Sequence, residues 1–402
     1  MYMRKFRKMT EMDKKTRTEK VETLLFSLQL VCVIINVFCS IWQYHRIVSI
    51  TLALSFIITT ALAFIAIANK NNKYTVVIWI FITLLSYLSA SQGKPNITFG
   101  YMKEWIIFIS TINLYFWVFS INVNKKMINR LFLCGVITAI IFIVAFFTGK
   151  DKSNVQMSNL VTFGLSNPNL AGIYLLNVFL CIFNLIVFTK NPLLKTFFLF
   201  LCGILFYFIC LTNARSCIIA SIACIFFSIL PARKYNKHLT LAILIFPLVF
   251  VFIYLRLIET DWASIFRFME SEGKSLTSRI KIWENTIYII KNNLFLGNYY
   301  LGSGNRHNTH LMILSAFGTI TFTLLIIFLN RITNYIGSFV KNRYQITAIY
   351  CFYAIILMGT FEAALFSGSQ EMYVFSGFFL MIAKYVNNKD SIKEELQEKL
   401  IK

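Results

Sequence analysis

Leu239–Leu257, LTLAILIFPLVFVFIYLRL, is an apolar run with a single charged residue, Arg256, and the chain after it stays polar across 258–307. A helix of that length spans about 28 Å, close to the roughly 30 Å of bilayer hydrocarbon. Working outward, runs of similar length lie at about 23–40, 47–68, 74–90, 104–121, 131–148, 166–189, 193–212, 214–230, 308–329, 345–362 and 371–387, separated by short polar breaks. The pattern predicts an all-α polytopic membrane protein of about twelve transmembrane helices, one integral-membrane domain over 1–402, with one large loop between the ninth and tenth spans.

Composition agrees. The chain is 57% hydrophobic and only 14% charged, whereas a soluble domain carries roughly a quarter charged residues. A net charge of +22 raises the question of nucleic acid, but the basic residues are dispersed through loops and form no single basic domain. Alternate loops differ in Lys and Arg: one side holds the basic stretch before residue 22, Lys70, Lys73, Lys125, Lys126, Arg130, Lys190, Lys195, Arg233, Lys234, Lys237, Arg331, Lys341, Arg343 and the tail at 388–402. The positive-inside bias makes that side cytoplasmic. It predicts a cytoplasmic-membrane protein with both termini inside and the 258–307 loop outside.

All nine cysteines fall inside apolar runs, with no C-x-x-C among them. Cys210, Cys217 and Cys224, seven apart, read as small packing residues near one helix face. No small-residue cleavage pattern follows the first run, so it reads as an uncleaved first helix. In the outer loop, Leu276, Ile280, Trp283, Ile287 and Ile290 recur at helical spacing with Lys281, Glu284 and Lys291 off the stripe. That spacing predicts an amphipathic helix lying along the membrane surface. Asn292 and Asn293 end it, and Gly297, Gly302 and Gly304 make a flexible turn into the tenth span.

Three polar clusters open outward-starting helices: Asn167-Pro168-Asn169, Asn213-Ala214-Arg215-Ser216 and His307-Asn308. Their free N–H groups and positive dipole ends make natural anion sites at the outer face. Asn167 suits an N-cap with Pro168 at the first helical position. Charges are nearly absent from the span centres, which favours binding or catalysis at the outer rim over coupled transport. Each cluster also has a bland reading. Asn-Pro-Asn works as a cap and kink, Arg215 as a residue snorkelling to headgroups, Arg279 as a contact to lipid phosphate, and His307 as a satisfied interfacial histidine. His307 and His310 share a face and raise a metal site, but no acidic or cysteine partner lies near them in sequence. Glu362 and Glu371 flank the last outer loop, where either capping or substrate contact fits.

Ser278-Arg279-Ile280-Lys281-Ile282-Trp283, Phe295-Leu296-Gly297, His307-Asn308 and Gly318-Thr319-Ile320-Thr321, in that order, resemble the signature region of the O-antigen ligase and polysaccharide polymerase (Wzy-type) superfamily. The likeness covers about 160–330. It implies a C-type glycosyltransferase-like fold and a metal-independent, cofactor-free transfer of glycan from a polyprenyl diphosphate donor to a glycan acceptor in the lipid bilayer. It further implies catalytic roles for Arg215 and Arg279, which would hold the diphosphate, and for His307 as general base, since imidazole titrates near neutral pH. Asn167, Asn169, Asn213, Ser216, Trp283, Asn308, His310 and Glu362 complete the expected substrate contacts. The expected partners are the chain-length regulator and flippase of the same pathway. The expected activity is a polymerase making a capsular, O-antigen or similar surface polysaccharide. A ligase moving a finished glycan is the near alternative. A lipid-linked oligosaccharide flippase, the alternative of another class, calls for polar residues at mid-membrane depth and no single large outer loop.

Overall fold

The computed structural model describes residues 2–68, 73–92, 102–149, 161–165, 167–229, 235–258, 276–302, 306–362 and 370–385. Side chains in α1, α9, α10 and α14 are described over 17–41, 237–257, 279–292 and 374–384. The side chain of Glu371, the loop at 259–275 and the C-terminal tail lie outside what is described.

Among the described residues, every element of any length is helical. They are α1 (Tyr2–Ile41), α2 (His45–Ala68), α3 (Lys73–Ser91), α4 (Lys103–Ser120), α5 (Lys125–Phe147), α6 (Pro168–Phe188) and α7 (Pro192–Leu211). There follow α8 (Arg215–Ile229), α9 (Lys237–Ile258), α10 (Leu276–Asn292), the single turn α11 (Tyr299–Gly302), α12 (Thr309–Gly337), α13 (Arg343–Met358) and α14 (Gln370–Lys384). Eight of them, α1 from Arg17, α2, α3, α5, α6, α7, α9 and α12, are long and apolar enough to cross a membrane.

The others are shorter. At 15 and 16 residues, α8 and α13 span about 22 and 24 Å, less than the roughly 30 Å of a hydrocarbon core. Burial separates inner helices from outer ones. Every side chain of α4 from Ile106 to Phe119 is buried, and so is every one of α13 from Gln345 to Ile356. Helices apolar all round belong in such an interior. In contrast, α7 and α9 expose Leu193, Phe200, Phe252 and Ile253, the surface that a lipid solvent tolerates.

Two glycines set the geometry near the polar clusters. Gly172 of α6 faces the start of α8 so closely that a Cβ there would lie 2.3 Å from the Ala214 Cβ. At Gly318, with φ 79° and ψ 174°, α12 breaks. A broken helix leaves backbone groups that lipid cannot satisfy, and the turn after α10 satisfies them. Thr319 N–H donates to Leu294 O at 2.9 Å, and Asn298 N–H donates to Ser315 O at 2.8 Å. The two glycine motifs read separately in the sequence are thus two sides of one contact.

The amphipathic helix is α10. Its buried residues Trp283, Thr286 and Ile289 face protein, with Trp283 packed edge-on against Tyr254 of α9 at 5.7 Å and clustered with Leu311 of α12. The stripe expected to lie on the membrane surface is spent on α9 and α12, because a neighbouring apolar helix covers it as well as lipid does.

Candidate active site

The N-termini of α6, α8 and α12 and the C-terminal end of α13 meet at one end of the bundle. Asn167 caps α6, its side chain accepting from Asn169 N–H at 2.8 Å with Pro168 following. Ala214 and Cys217, on either side of Arg215, approach Gly172, and the Cys217 thiol lies 3.7 Å from the Met358 sulfur at the end of α13. The first turn of α8, where Arg215 stands, is therefore beside this junction. Asn213 precedes it in the left-handed region, φ 52°, which asparagine tolerates better than most residues.

Asn308 starts α12 and is completely buried. Its carbonyl oxygen accepts from Leu311 N–H at 2.9 Å, and its amide nitrogen donates to Pro247 O and Thr360 O, each at 2.9 Å. Pro247 has no N–H for the ladder of α9, and α12 side chains take carbonyls around it: His310 Nε2 lies 2.6 Å from Leu244 O. Because Pro247 is midway along α9, α12 begins level with the middle of that helix, and the half of α9 past Pro247, packed on α10 through Tyr254 and Trp283, stands beyond the α12 start and leaves it recessed.

The centre of the recess is Glu362, whose side chain is 7% exposed. Its Oε1 accepts from Arg279 Nη2 at 3.1 Å and from Asn169 Nδ2 at 3.0 Å. Its Oε2 lies 3.4 Å from His307 Nδ1. Arg279 and His307 are 22% and 24% exposed, so each keeps part of its side chain open. Thr309 fixes the backbone beneath: its hydroxyl donates to Glu362 O at 3.0 Å and its N–H to Gly359 O at 2.8 Å. His307 has φ 48°, a conformation costly for a residue with a Cβ and one that collects at functional sites when surroundings enforce it. Here the cap at Asn308 and the anchored 306 carbonyl enforce it. Trp283 Nε1 donates to Arg306 O at 3.0 Å. Burial pulls the Arg306 guanidinium below its usual range.

Of the residues expected at the site, the structure gathers Arg279, His307, Asn169 and Glu362 into one bonded group, with Asn167, Asn213, Arg215 and Ser216 on the adjoining helix starts. Trp283, Asn308 and His310 are placed otherwise. All three are buried: Trp283 Nε1, the Asn308 amide nitrogen and His310 Nε2 each meet a backbone carbonyl, and the Asn308 amide oxygen accepts from Leu311 N–H, so they help frame the recess. His310 and His307 point to different partners, Leu244 O and Glu362, which separates the two rings raised as a metal pair. Thr309 and Arg306 were passed over in the sequence. The motif spacing that marks His307-Asn308 was the only signal available for them.

A helical membrane-type bundle with a cationic, histidine-bearing recess defines the class of protein. Residues 198–308, a little over a quarter of the chain, match the family model described as O-Antigen ligase, a likeness that supports a ligase- or polymerase-family function in general. The match runs from α7 to the cap of α12 and takes in Arg215, Arg279 and His307. No curated protein matches the chain.

Proposed function

We propose that this protein is a polymerase joining glycan repeat units carried on polyprenyl diphosphate into a surface polysaccharide. The observation that carries the reading is the convergence of Arg279, His307 and Asn169 on the buried Glu362 carboxylate, beside the helix start that bears Arg215. In the transfer, an acceptor hydroxyl oxygen attacks the anomeric carbon of the donor. The bond from that carbon to the diphosphate oxygen breaks, and the hydroxyl proton passes to His307. His307 Nδ1 lies 3.4 Å from Glu362 Oε2, which leaves Nε2, turned away from the carboxylate, as the nitrogen that receives the proton.

The leaving polyprenyl diphosphate takes the bonding electrons, and Arg215 and Arg279 meet the growing charge with forked hydrogen bonds. A guanidinium has five N–H donors, so Arg279 can keep Glu362 on one edge and take phosphate oxygen on another. The short α8 and α13 support this chemistry by recessing the site toward the depth where a lipid-borne diphosphate enters. Twelve spans, cytoplasmic termini and an outward recess complete the reading, resting on the distribution of Lys and Arg.

A ligase that moves a finished glycan would use the same atoms, and the name of the matched family favours it. Glycan length decides between them. Cells lacking the protein accumulate single lipid-linked repeat units if it is a polymerase. They accumulate complete polymer on the carrier lipid if it is a ligase, and that result overturns the proposal.

A further inference from the structure

The opposite end of the bundle carries a second polar feature that the glycan chemistry does not use. Where the start of α5 lies beside the middle of α1, two adjoining clefts of about 520 and 340 Å³ share Lys126 and Arg130 as walls. The larger is completed by Lys125, Asn129 and Leu133, the smaller by Glu19, Lys20, Thr23, Leu24 and Asn124. Four cations therefore face one carboxylate, that of Glu19. Arg130 bridges the helices, donating to Thr23 O at 3.3 Å and to the Ser27 hydroxyl, which fixes the floor between them. The α5 helix, 23 residues or about 35 Å long, puts these clefts roughly one membrane thickness from the recess at Glu362.

The clefts are also amphipathic. Leu24 and Leu133 line them and are 60% and 58% exposed. The exposed apolar faces continue away from the charges as Leu28, Val31 and Ile35 on α1 and Ile140 and Val144 on α5. Cations at the mouth with an uncovered apolar track behind suit a phosphate group that carries acyl chains. We propose that this groove binds the phosphate head of an anionic membrane lipid, its chains lying along α1 and α5. Basic pockets between helices at a membrane face hold such heads through charge. Free phosphate shares the head's chemistry but has no use for the apolar track.

Native mass spectrometry of the full chain in detergent, titrated with phosphatidylglycerol and phosphatidylcholine of equal chain length, tests this. Lys125 and Lys126 are exposed, so K125A/K126A removes two groove charges without touching the core. K190A/K195A removes two exposed charges elsewhere on the same face. The expected result is saturable binding of one phosphatidylglycerol in preference to phosphatidylcholine, weakened roughly tenfold or more in K125A/K126A and unchanged in K190A/K195A. Equal binding of the two lipids, or equal loss in both variants, overturns the proposal by leaving only diffuse surface charge. Displacement of the lipid by millimolar inorganic phosphate, with phosphate alone bound by the wild type and not by K125A/K126A, reassigns the groove to free phosphate and overturns the lipid reading.

Discussion

Glu362 gathers a guanidinium, an imidazole and an amide around one nearly buried carboxylate, so its removal is felt at each of them. Glu362→Gln keeps the volume and loses the charge that orients His307. Because a positioned general base contributes about 10²–10⁴ in rate, E362Q should lower glycan transfer roughly a hundredfold at unchanged protein level in membranes. A fall of less than about threefold, read in a transfer assay with lipid-linked donor, would show that the carboxylate does not position the histidine. Arg279→Lys retains the charge but not the planar fork. We expect a loss of about tenfold or more in transfer, with His307 and Glu362 left in place. At this scale the sequence was a partial guide. Arg215 and His307 draw attention as polar residues at expected helix starts and Arg279 through the family likeness, but Glu362 lies more than fifty residues beyond His307, and nothing local pairs them. Trp283, Asn308 and His310 misled for the opposite reason, since a polar side chain reads the same whether it is satisfied inside or open to a ligand.

Helix ends and breaks carry the next level. Asn308→Ala would strip partners from two buried carbonyls and one N–H, at a cost of about 2–4 kcal/mol. Its expected signature is a lower unfolding temperature in detergent, which a merely substrate-orienting asparagine would not produce. Gly318→Ala forces a Cβ into φ 79° and to within 2.2 Å of Phe295 O. The left-handed conformation alone costs roughly 1–2 kcal/mol, and the clash is with backbone that cannot swing away. We expect G318A to melt several degrees below wild type, and an unchanged melting temperature would show that the 294–298 turn does not dock on the break. Hydropathy and caps made the helices legible, including the Asn167-Pro168 start of α6. The break at Gly318 was hidden because 308–329 is apolar throughout. The destination of α10's stripe was hidden because an apolar face does not say whether lipid or a neighbouring helix covers it.

Over the whole molecule, the inner helices α4, α6, α13 and α14 form a packed interior, while α7 and α9 turn apolar surface outward. At Pro247, midway along α9, α12 begins, so the two helices end at different levels. Composition and periodicity alone could declare a helical membrane protein. They could not show the recess, because it arises from where helices end relative to one another. The central claim is that the Arg279–Glu362–His307 group, with Arg215 beside it, joins lipid-linked glycan units. It is tested most directly by the length distribution of glycan in cells whose sole copy is His307→Ala, expressed in the membrane at the wild-type level. The account predicts single repeat units accumulating on the carrier lipid with long polymer lost; long-chain polysaccharide of wild-type length and amount would contradict it.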